Sequence, residues 1–507
     1  MFVSTTADHA STRPQRRRAW WRWGLAPAVL LLLPFLLRAV AIRASVVDPD
    51  EGLYLVQAVA WLKGGWPYLA VWDMHPVGAP ALLTPFVALL PSPLLALRIA
   101  GMVAVAATSL LLMRLVMRLG ASRAAGFAAG LLYAAHTLVL GGLATNTEIL
   151  FAPFMVAGAT LLLQEALAER APRPATVLAA GLFFGVALWV KQVVGLEASA
   201  LWLTMVGVAL ARRRMGIGAV LVLALLFALG AALPTALTAA IYAAKGEFAT
   251  WWNSNVTVLL TYSAVEDGAP GFRRGVVVAL GCLLWLLAAA MLAAAHAPAR
   301  RRAALLLPWL AAAIVQAAAP GKYFDHYFLM LLPPLCVLAA LGLEAVAIRW
   351  GRQGVRRGMV IGLAAAIAVL PVSSLLLPRL ANGLGWRLPD AATQVAAIAR
   401  AEVGPGEALY IANWHPVVYA LAGIEAPTRF AFPSHLAGLH AGLTGFDQDA
   451  ELERVLALAP RIIVIAPSHW WRTRPEARAR IEATLVGYDR IATIRDGDGP
   501  VEVWRRR

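Results

Sequence analysis

The chain has 507 residues, of which 60% are hydrophobic and 14% are charged. An ordinary soluble globule has about 45–50% apolar and about 25% charged residues, and a disordered chain needs low hydrophobicity with dense charge. The composition therefore excludes both classes. The 44 Lys and Arg against 28 Asp and Glu give a net charge of +16, which in a soluble protein would suggest nucleic acid. Cys282 and Cys336 both lie in apolar stretches, so they predict neither a disulfide framework nor a metal-ligand cluster.

Apolar runs long enough to cross a bilayer, about 20 residues each, recur between residues 24 and 378. They predict a mainly α-helical, polytopic membrane protein with about eleven transmembrane helices. Only Lys191-Gln192 separates the fifth span from the sixth, and the Pro-bounded run 76–91 is shorter, which favours a re-entrant or interfacial helix. The predicted spans are 24–44, 93–117, 123–142, 147–168, 174–190, 193–211, 215–243, 275–295, 303–319, 325–348 and 358–378.

Basic residues predict the orientation of the chain. Residues 1–23 form a basic segment before the first span; a cleaved signal peptide is the alternative, but the apolar run is long and no clear small-residue cleavage site follows it. With a cytoplasmic N-terminus and alternating spans, 20 Lys and Arg fall on the cytoplasmic side and six on the other. The charge thus indicates topology rather than nucleic acid. An odd number of spans puts the last part of the chain outside the cytoplasm.

The composition changes after residue 378 to a nearly neutral segment with 15 Arg and 14 Asp and Glu. Alternating strand-like and helix-like runs predict a small extracytoplasmic α/β domain over residues 379–507. It follows a transmembrane domain over residues 24–378, whose first exterior loop is 48–92. The strand-like runs are 408–412, 461–466 and 490–494, and the helix-like runs are 390–402, 447–458 and 475–486.

Acidic residues concentrate on the predicted exterior side. Ionisable groups at span ends are costly and are often functional, so their distribution indicates chemistry at an extracytoplasmic membrane face. Four of the 14 acids before residue 379 are cytoplasmic, and the other ten are Asp48, Asp50, Glu51, Asp73, Glu148, Glu197, Glu247, Glu266, Asp267 and Asp325.

The densest acidic cluster opens the first exterior loop. Asp48 followed by Pro49 reads as the N-cap and first residue of a helix along the interface, which Gly64-Gly65 would end. Glu51 at the third helical position would complete a capping box, so capping explains it as well as function does. Asp50 has only the favourable helix dipole as a structural explanation.

A second group of polar residues follows in the same loop and at the start of the fourth span. Asp73 and His75 form a pair that is most often only a local hydrogen bond, but they share the loop with Asp50. Asn146 or Thr147 would cap the helix that carries Glu148. We expect Asp73, Asn146 and Glu148 to contact substrate.

Exterior cations lie beside two further spans. Lys191 has an apolar context, where snorkelling is the alternative to a buried functional cation. An aromatic interfacial belt would account for Tyr323 and Tyr327, but it does not explain Lys322 and His326 together. These cations, with His75, are candidates to face a negatively charged group.

In order along the chain, these motifs resemble the GT-C glycosyltransferases, in particular the branch of protein O-mannosyltransferases and aminoarabinose transferases. The resemblance rests on the Asp50-Glu51 pair just after the first span, and it continues through most of the chain. The matching segments are DPDEGLYLVQAVAWLKGGWPY, WDMHPVGAP, NTEILFAPF, LWVKQVVGLE, GKYFDHYFLMLLPP and NWHPVVYALAGIEAPTRFAFPS.

The resemblance implies a polyprenyl-phosphate sugar as donor and transfer with inversion at the extracytoplasmic face. It makes Asp50 the candidate base and Glu51 its support, and it puts Lys191, Lys322, His326, Tyr327 and His75 near the donor phosphate. Many relatives have His-Lys where this chain has Met74-His75. Since His is only partly charged near neutral pH, that replacement leaves the phosphate role of this position open.

The residues suit this chemistry without the resemblance. A positioned carboxylate can remove the proton of an attacking hydroxyl, and cations stabilise the charge on a departing phosphate. We expect Asp50 to keep a low pKa beside such cations, and no ligand spacing demands a metal or another cofactor. The partners would be the lipid-linked donor, an acceptor that the sequence does not identify, and the membrane. The alternatives are a lipid or glycolipid transporter, which needs ionisable groups at mid-bilayer, and a receptor or assembly subunit that binds a partner.

Overall fold

A computed structural model of the chain describes residues 14–265, 271–381 and 390–507. Arg13 of the basic segment and the acids Glu266 and Asp267 therefore lie outside the described residues. The helices of the first and larger part are α1 (Pro14–Arg38), α2 (Pro49–Leu62), α3 (Gly78–Leu89), α4 (Pro93–Arg118), α5 (Arg123–His136), α6 (Thr147–Leu167), α7 (Pro174–Val190), α8 (Gly195–Ala211), α9 (Ile217–Ala244), α10 (Phe248–Trp252), α11 (Val258–Thr261), α12 (Phe272–Met291), α13 (Ala297–Ala304), α14 (Leu307–Ala318), α15 (Leu332–Trp350) and α16 (Arg356–Ala381).

Long apolar helices dominate this part, as predicted, and confirm the fold class of a polytopic helical membrane protein. Among the described residues, eight helical segments are long and apolar enough to cross a bilayer. Three predicted spans are shorter in the structure: α7 and α14 have 17 and 12 residues, and α5 has 14. The predicted count of eleven is therefore not confirmed. The eight segments are Gly24–Ala41, Pro93–Arg118, Thr147–Leu167, Gln192–Ala211, Ile217–Ala244, Phe272–Ala295, Asp325–Trp350 and Arg356–Pro378.

The predicted span 123–142 ends early, at His136, for a physical reason. Leu140 and Gly141 both have positive φ angles, 58° and 69°, which a continuous right-handed helix does not allow. The loop instead turns its carbonyl groups towards Arg38, whose guanidinium donates to Gly142 at 2.6 Å and to Leu143 at 2.9 Å. A buried cation thus replaces the helical hydrogen bonds that this loop lacks.

The first loop forms two short helices, α2 and α3, close to where the sequence predicts them. Asp48 is the N-cap of α2, with an extended backbone and a side chain that accepts from the Asp50 backbone N–H at 3.0 Å. Pro49 follows at the first helical position, where its missing N–H costs nothing. Helix α3 has 12 residues, about 18 Å at 1.5 Å per residue, so it is too short to cross a bilayer.

Burial separates a central helix from peripheral ones. Of the span that contains α15, 89% is buried inside the protein, whereas 11% of the α9 span is. Gly342 of α15 allows close contact with α12, because a Cβ at this position would lie 1.8 Å from the carbonyl oxygen of Ala289. Helix α15 is therefore the core of the bundle, and α9 presents apolar side chains outwards, as a lipid-facing helix does.

The C-terminal part is a small α/β domain, as predicted. Its four-stranded sheet has the order β1-β2-β4-β3, in which β1 and β2 are parallel and β3 and β4 form an antiparallel hairpin. The sequence missed β4, an inner strand that pairs with both β2 and β3. The elements are α17 (Ala391–Glu402), β1 (Leu409–Ile411), α18 (Val417–Ala422), α19 (Pro433–Leu436), α20 (Gln448–Ala457), β2 (Ile462–Ile465), α21 (Pro475–Leu485), β3 (Tyr488–Asp496) and β4 (Gly499–Arg506).

Candidate active site

A cavity of about 510 Å³ lies between the helical part and the α/β domain. We call the side formed by the helical part the membrane wall, and it includes Asp48, Asp50, His75, Lys191, Arg274, His326 and Tyr327. We call the opposite side the cap wall, and it includes Asn413, Trp414, His415, Ser434, His440, His469 and Arg472. The cavity therefore brings together residues from the first loop, from other segments of the helical part and from the last domain.

Asp48 joins several elements of the membrane wall. Besides capping α2, its carboxylate accepts from the amide of Asn146 at 3.2 Å and lies 3.4 Å from Nδ1 of His326. Burial opposes ionisation of this carboxyl, but hydrogen bonding and the charge of His326 lower the pKa of Asp48 below its ordinary value. Asp48 is thus ionised, and its carboxylate oxygens are already engaged by the Asp50 N–H, Asn146 and His326. Asn146 is the N-cap residue of α6 but makes no side-chain capping bond.

Asp50 lines the cavity with a different electrostatic balance. Burial and the neighbouring charge of Asp48 raise the pKa of Asp50 to about 6, although His326 and His75 act in the opposite direction. The expectation of a low pKa at this position was therefore wrong, because desolvation outweighs the nearby cations. Within the described part of the chain, no donor forms a hydrogen bond with the Asp50 carboxylate. Its proton-accepting oxygens face the cavity unused.

Glu51 lies behind the cavity rather than in its wall. It is fully buried, and its carboxylate forms two hydrogen bonds with Arg98, at 2.6 and 2.7 Å. It also accepts from the backbone N–H groups of Val47 at 3.0 Å and Thr145 at 2.7 Å. These contacts tie the start of α2 to α4 and to the loop before α6, so the structure gives Glu51 a positioning role.

The predicted residues Glu148 and Lys191 form an ion pair beneath the cavity. The Lys191 ammonium lies 2.5 Å from the Glu148 carboxylate and 4.9 Å from the centre of the Tyr327 ring. The Tyr327 hydroxyl is 3.4 Å from the hydroxyl of Tyr262. Lys191 and Tyr327 line the cavity, whereas Glu148 neutralises the lysine from behind.

Two further predicted residues lie outside the cavity lining. Lys322 donates to the carbonyl oxygen of Val265 and lies 5.2 Å from the Tyr262 ring, so it fixes the segment that carries this tyrosine. Asp73 is buried and accepts from Nδ1 of His75 at 3.0 Å. His75 itself lines the cavity.

Sequence reasoning missed the cap wall and one cation of the membrane wall. Asn413, Trp414 and His415 follow β1, and His469 and Arg472 follow β2. These two strands are parallel, and ligands bind at the carboxyl ends of parallel strands, so the strand prediction contained this signal. Arg274 lay in a predicted exterior segment, but no pattern distinguished it from an ordinary surface arginine.

The cap wall is mostly uncharged. Burial lowers the pKa of His415 to about 4, and Asp496 only partly compensates, so this imidazole is neutral at pH 7. Nδ1 of His469 lies 3.3 Å from the carbonyl oxygen of Asn413, and the indole N–H of Trp414 donates to Asp496 at 3.2 Å. A neutral imidazole and hydrogen-bonded side chains therefore face the charged membrane wall. Across the described residues, no group of three His, Cys, Asp or Glu side chains is arranged to hold a metal ion.

The fold is similar to that of solved GT-C glycosyltransferases. Residues 74–237, 164 of the 507, match the family model "Dolichyl-phosphate-mannose-protein mannosyltransferase". A comparison with curated protein sequences found no match.

Solved structures of this class superpose over nearly the whole chain. ArnT from Cupriavidus metallidurans, bound to undecaprenyl phosphate, is similar with a TM-score of 0.62 and 16% identity over 96% of this chain and 98% of that one. The Archaeoglobus fulgidus oligosaccharyltransferase is similar with a TM-score of 0.53 and 13% identity over 88% and 70%. The resemblance to the GT-C superfamily predicted from the sequence is confirmed.

Proposed function

We propose that the protein is an inverting glycosyltransferase that moves a sugar from a polyprenyl-phosphate donor to a hydroxyl acceptor at the extracytoplasmic face of the membrane. The observation that carries the proposal is Asp50, an unpaired carboxylate in a cavity whose wall also holds Lys191, Arg274 and His326. The undecaprenyl phosphate in the ArnT structure supports a lipid phosphate as the leaving group.

The proposed reaction has one displacement at C1 of the donor sugar. The acceptor oxygen attacks C1, its proton passes to Asp50, and the bond between C1 and the phosphate oxygen breaks with its electron pair remaining on the phosphate. A single displacement by an external nucleophile inverts the anomeric centre. The cations of the membrane wall stabilise the negative charge on the departing phosphate, as preorganised positive groups do in a cavity with little water.

The division of the cavity gives each wall a role in this proposal. The membrane wall holds the phosphate and the base, and its helices border the bilayer from which a lipid donor comes. The cap wall, with the neutral imidazole of His415 and the indole of Trp414, faces the acceptor. The acceptor would meet C1 between the two walls, near Asp50.

Asp50→Asn tests the proposal. Glu425→Gln is the control, because it also removes one carboxylate charge, but at an exposed position. Purified protein in nanodiscs is incubated with a panel of undecaprenyl-phosphate sugars and with envelope extract of a deletion strain as acceptor. Mass spectrometry then measures the glycosylated product. A general base contributes about 10²–10⁴-fold, so we expect Asp50→Asn to lose at least about a hundredfold in turnover while Glu425→Gln keeps the wild-type rate.

A transporter of lipid-linked sugars would bind the same donor without breaking the C1–O bond. Donor consumption with a covalent product therefore separates the two functions. Wild-type turnover in Asp50→Asn would contradict the assignment of the base, and the lack of product from wild-type protein with every donor would contradict the function.

The arginine distribution supports an extracytoplasmic cavity. Labelling of intact cells with a membrane-impermeant maleimide tests this orientation, because Glu453 of α20 and Arg352, between α15 and α16, are both exposed. In a cysteine-free background we expect Glu453→Cys to react and Arg352→Cys to react only after lysis. The reverse pattern would put the cavity on the cytoplasmic side.

A further inference from the structure

The Asp73–His75 pair lies in the first loop where many members of the resembling branch have a lysine. We propose that His75 is the proton donor to the departing lipid phosphate, and that Asp73 is the positioning residue that holds its ring. The inference rests on the proposed glycosyl transfer and assigns a catalytic step to a residue that differs from the lysine of those relatives.

The hydrogen bond between the two side chains fixes the tautomer of His75. Asp73 is 2% exposed, and its Oδ1 accepts from the backbone N–H of Met74 at 2.7 Å and contacts Nδ1 of His75 at 3.0 Å. An ionised carboxylate only accepts hydrogen bonds, so Nδ1 carries a hydrogen. The other ring nitrogen, Nε2, is then the atom that gains and loses a proton.

Neighbouring elements hold the ring against the cavity. The edge of the His75 ring meets the Tyr54 ring at 87° with centroids 5.9 Å apart. The Tyr68 hydroxyl donates to the His75 carbonyl oxygen at 2.9 Å, and the Asn255 amide donates to the same hydroxyl at 3.0 Å. Three separate segments thus fix the backbone and the plane of a side chain that lines the cavity together with Asp50.

The proton balance closes within the cavity. As C1 is attacked, Asp50 accepts the proton of the acceptor hydroxyl, and the Nε2–H of protonated His75 passes to the phosphate oxygen that leaves C1. The products are the glycoside and the polyprenyl phosphate as a monoanion, so the donor and the leaving lipid carry the same charge. A proton then returns from Asp50 to His75, and the enzyme is restored without net exchange with solvent.

A lysine would supply charge at this position but not this step. Its ordinary pKa is about 10.4 and that of histidine is about 6.5, so an ammonium group releases its proton poorly near neutral pH. His75→Lys therefore separates the two roles that one side chain can have here. Asp50 and Tyr54 on α2, Asp73 on the loop and His435 on α19 are the titratable groups that influence His75.

The test uses purified full-length protein in nanodiscs, with undecaprenyl phosphate as the binding probe and an undecaprenyl-phosphate sugar as the donor. General acids contribute about 10²–10⁴-fold, so we expect His75→Lys to bind undecaprenyl phosphate at least as tightly as wild type while kcat falls about a hundredfold. The alkaline decline of wild-type kcat should disappear in this variant. Asp73→Asn should lower kcat with little change in KM, and it should shift the alkaline decline.

Each outcome has a distinct meaning. Wild-type kcat in His75→Lys at every pH would overturn the inference, because a fixed positive charge would then be enough. Equal losses of kcat and of undecaprenyl phosphate binding in His75→Gln and His75→Lys would also overturn it, as they indicate a packing defect. Failure of the proposed function appears differently, as undecaprenyl phosphate binding by the wild type without any transfer.

Discussion

The two walls of the cavity differ in how their polar groups are satisfied. The membrane wall pairs opposite charges, such as Asp48 with His326 and Lys191 with Glu148, and leaves the Asp50 carboxylate without a partner among the described residues. On the cap wall, Trp414 and His469 are hydrogen-bonded inside their own domain, and the His415 imidazole is neutral at pH 7 because burial lowers its pKa. Charge separation is needed where a phosphate departs, whereas neutral groups suit recognition of a hydroxyl compound. In the proposed reaction, the membrane wall carries the chemistry and the cap wall recognises the acceptor.

The largest expected effect of a substitution lies behind the membrane wall, at Glu51. Glu51→Ala leaves Arg98 as an uncompensated charge that is 2% exposed, which costs about 3–5 kcal/mol of stability. The matched control is Glu425→Ala, whose ion pair with Lys63 is exposed and contributes about 0–1 kcal/mol. Thermal unfolding in nanodiscs measures both. A stable Glu51→Ala protein without turnover would instead support the catalytic role predicted from the sequence.

Two arginines on opposite walls test the comparison directly. Arg274→Ala on the membrane wall should weaken binding of undecaprenyl phosphate about tenfold, since hydrogen bonds to charged groups contribute about 1.5–3 kcal/mol and this side chain is exposed. Arg472→Ala on the cap wall should leave that affinity within about twofold and raise KM for the acceptor. Isothermal titration and steady-state kinetics give the two values. Equal losses of lipid phosphate affinity would show that the walls do not divide the substrates.

The pH dependence of turnover reports on the membrane wall. Because the base form of Asp50 is needed and its pKa is about 6, we expect kcat/KM to fall as pH drops through about 6, by up to about tenfold per pH unit. Asp48→Asn removes the charge that raises this pKa and keeps a good capping residue. The acid midpoint should therefore move to lower pH in Asp48→Asn. An unchanged midpoint would mean that another group controls the acid limb.

The smallest expected effect concerns the acid stability of the cap wall. The pKa of His415 is about 4 in the folded protein and about 6.5 when unfolded. The unfolded form then binds more protons between these values, so stability declines as pH falls from about 6.5 to about 4 and is unaffected above that range. Hydrogen exchange of residues 391–507 in the intact protein measures this decline, and His415→Gln should reduce it. The same decline in both proteins would point to other groups.

Much of the fold follows from local patterns in the sequence. Apolar length gave the long spans, and the Asp48-Pro49 pair predicted the start of α2 correctly. Three of the four strands also agree with the structure. The number of spans was not predicted correctly. Hydropathy does not show that Leu140 and Gly141 have positive φ angles, or that the carbonyl groups of this loop bind Arg38, so it extended the span 123–142 past His136. These features depend on a contact across about a hundred residues.

The candidate site was predicted in part. The sequence indicated Asp50, His75, Lys191, His326 and Tyr327, all of which line the cavity, since acids and cations at span ends are rare enough to be conspicuous. It made Asp50 the base and Glu51 its support, but it did not predict the Glu51–Arg98 contact, because adjacent residues of a helix point about 100° apart and only the packed structure shows which of them faces Arg98. No individual residue of the cap wall was predicted, because its imidazoles come from loops that meet only after the sheet has formed.

The buried helix α15 has a consequence for how variants of this protein are interpreted. Its N-terminal end continues from the turn that carries His326 and Tyr327, and near its middle Glu344 accepts from the Ser122 backbone N–H at 2.6 Å. Midway, the bare backbone of Gly342 lies against Ala289. A side chain added at Gly342 would push α15 away from α12, and the displacement would reach the imidazole of His326 that pairs with Asp48. A substitution in α15 far from the cavity could then lower turnover by displacing His326, without changing any residue that lines the cavity.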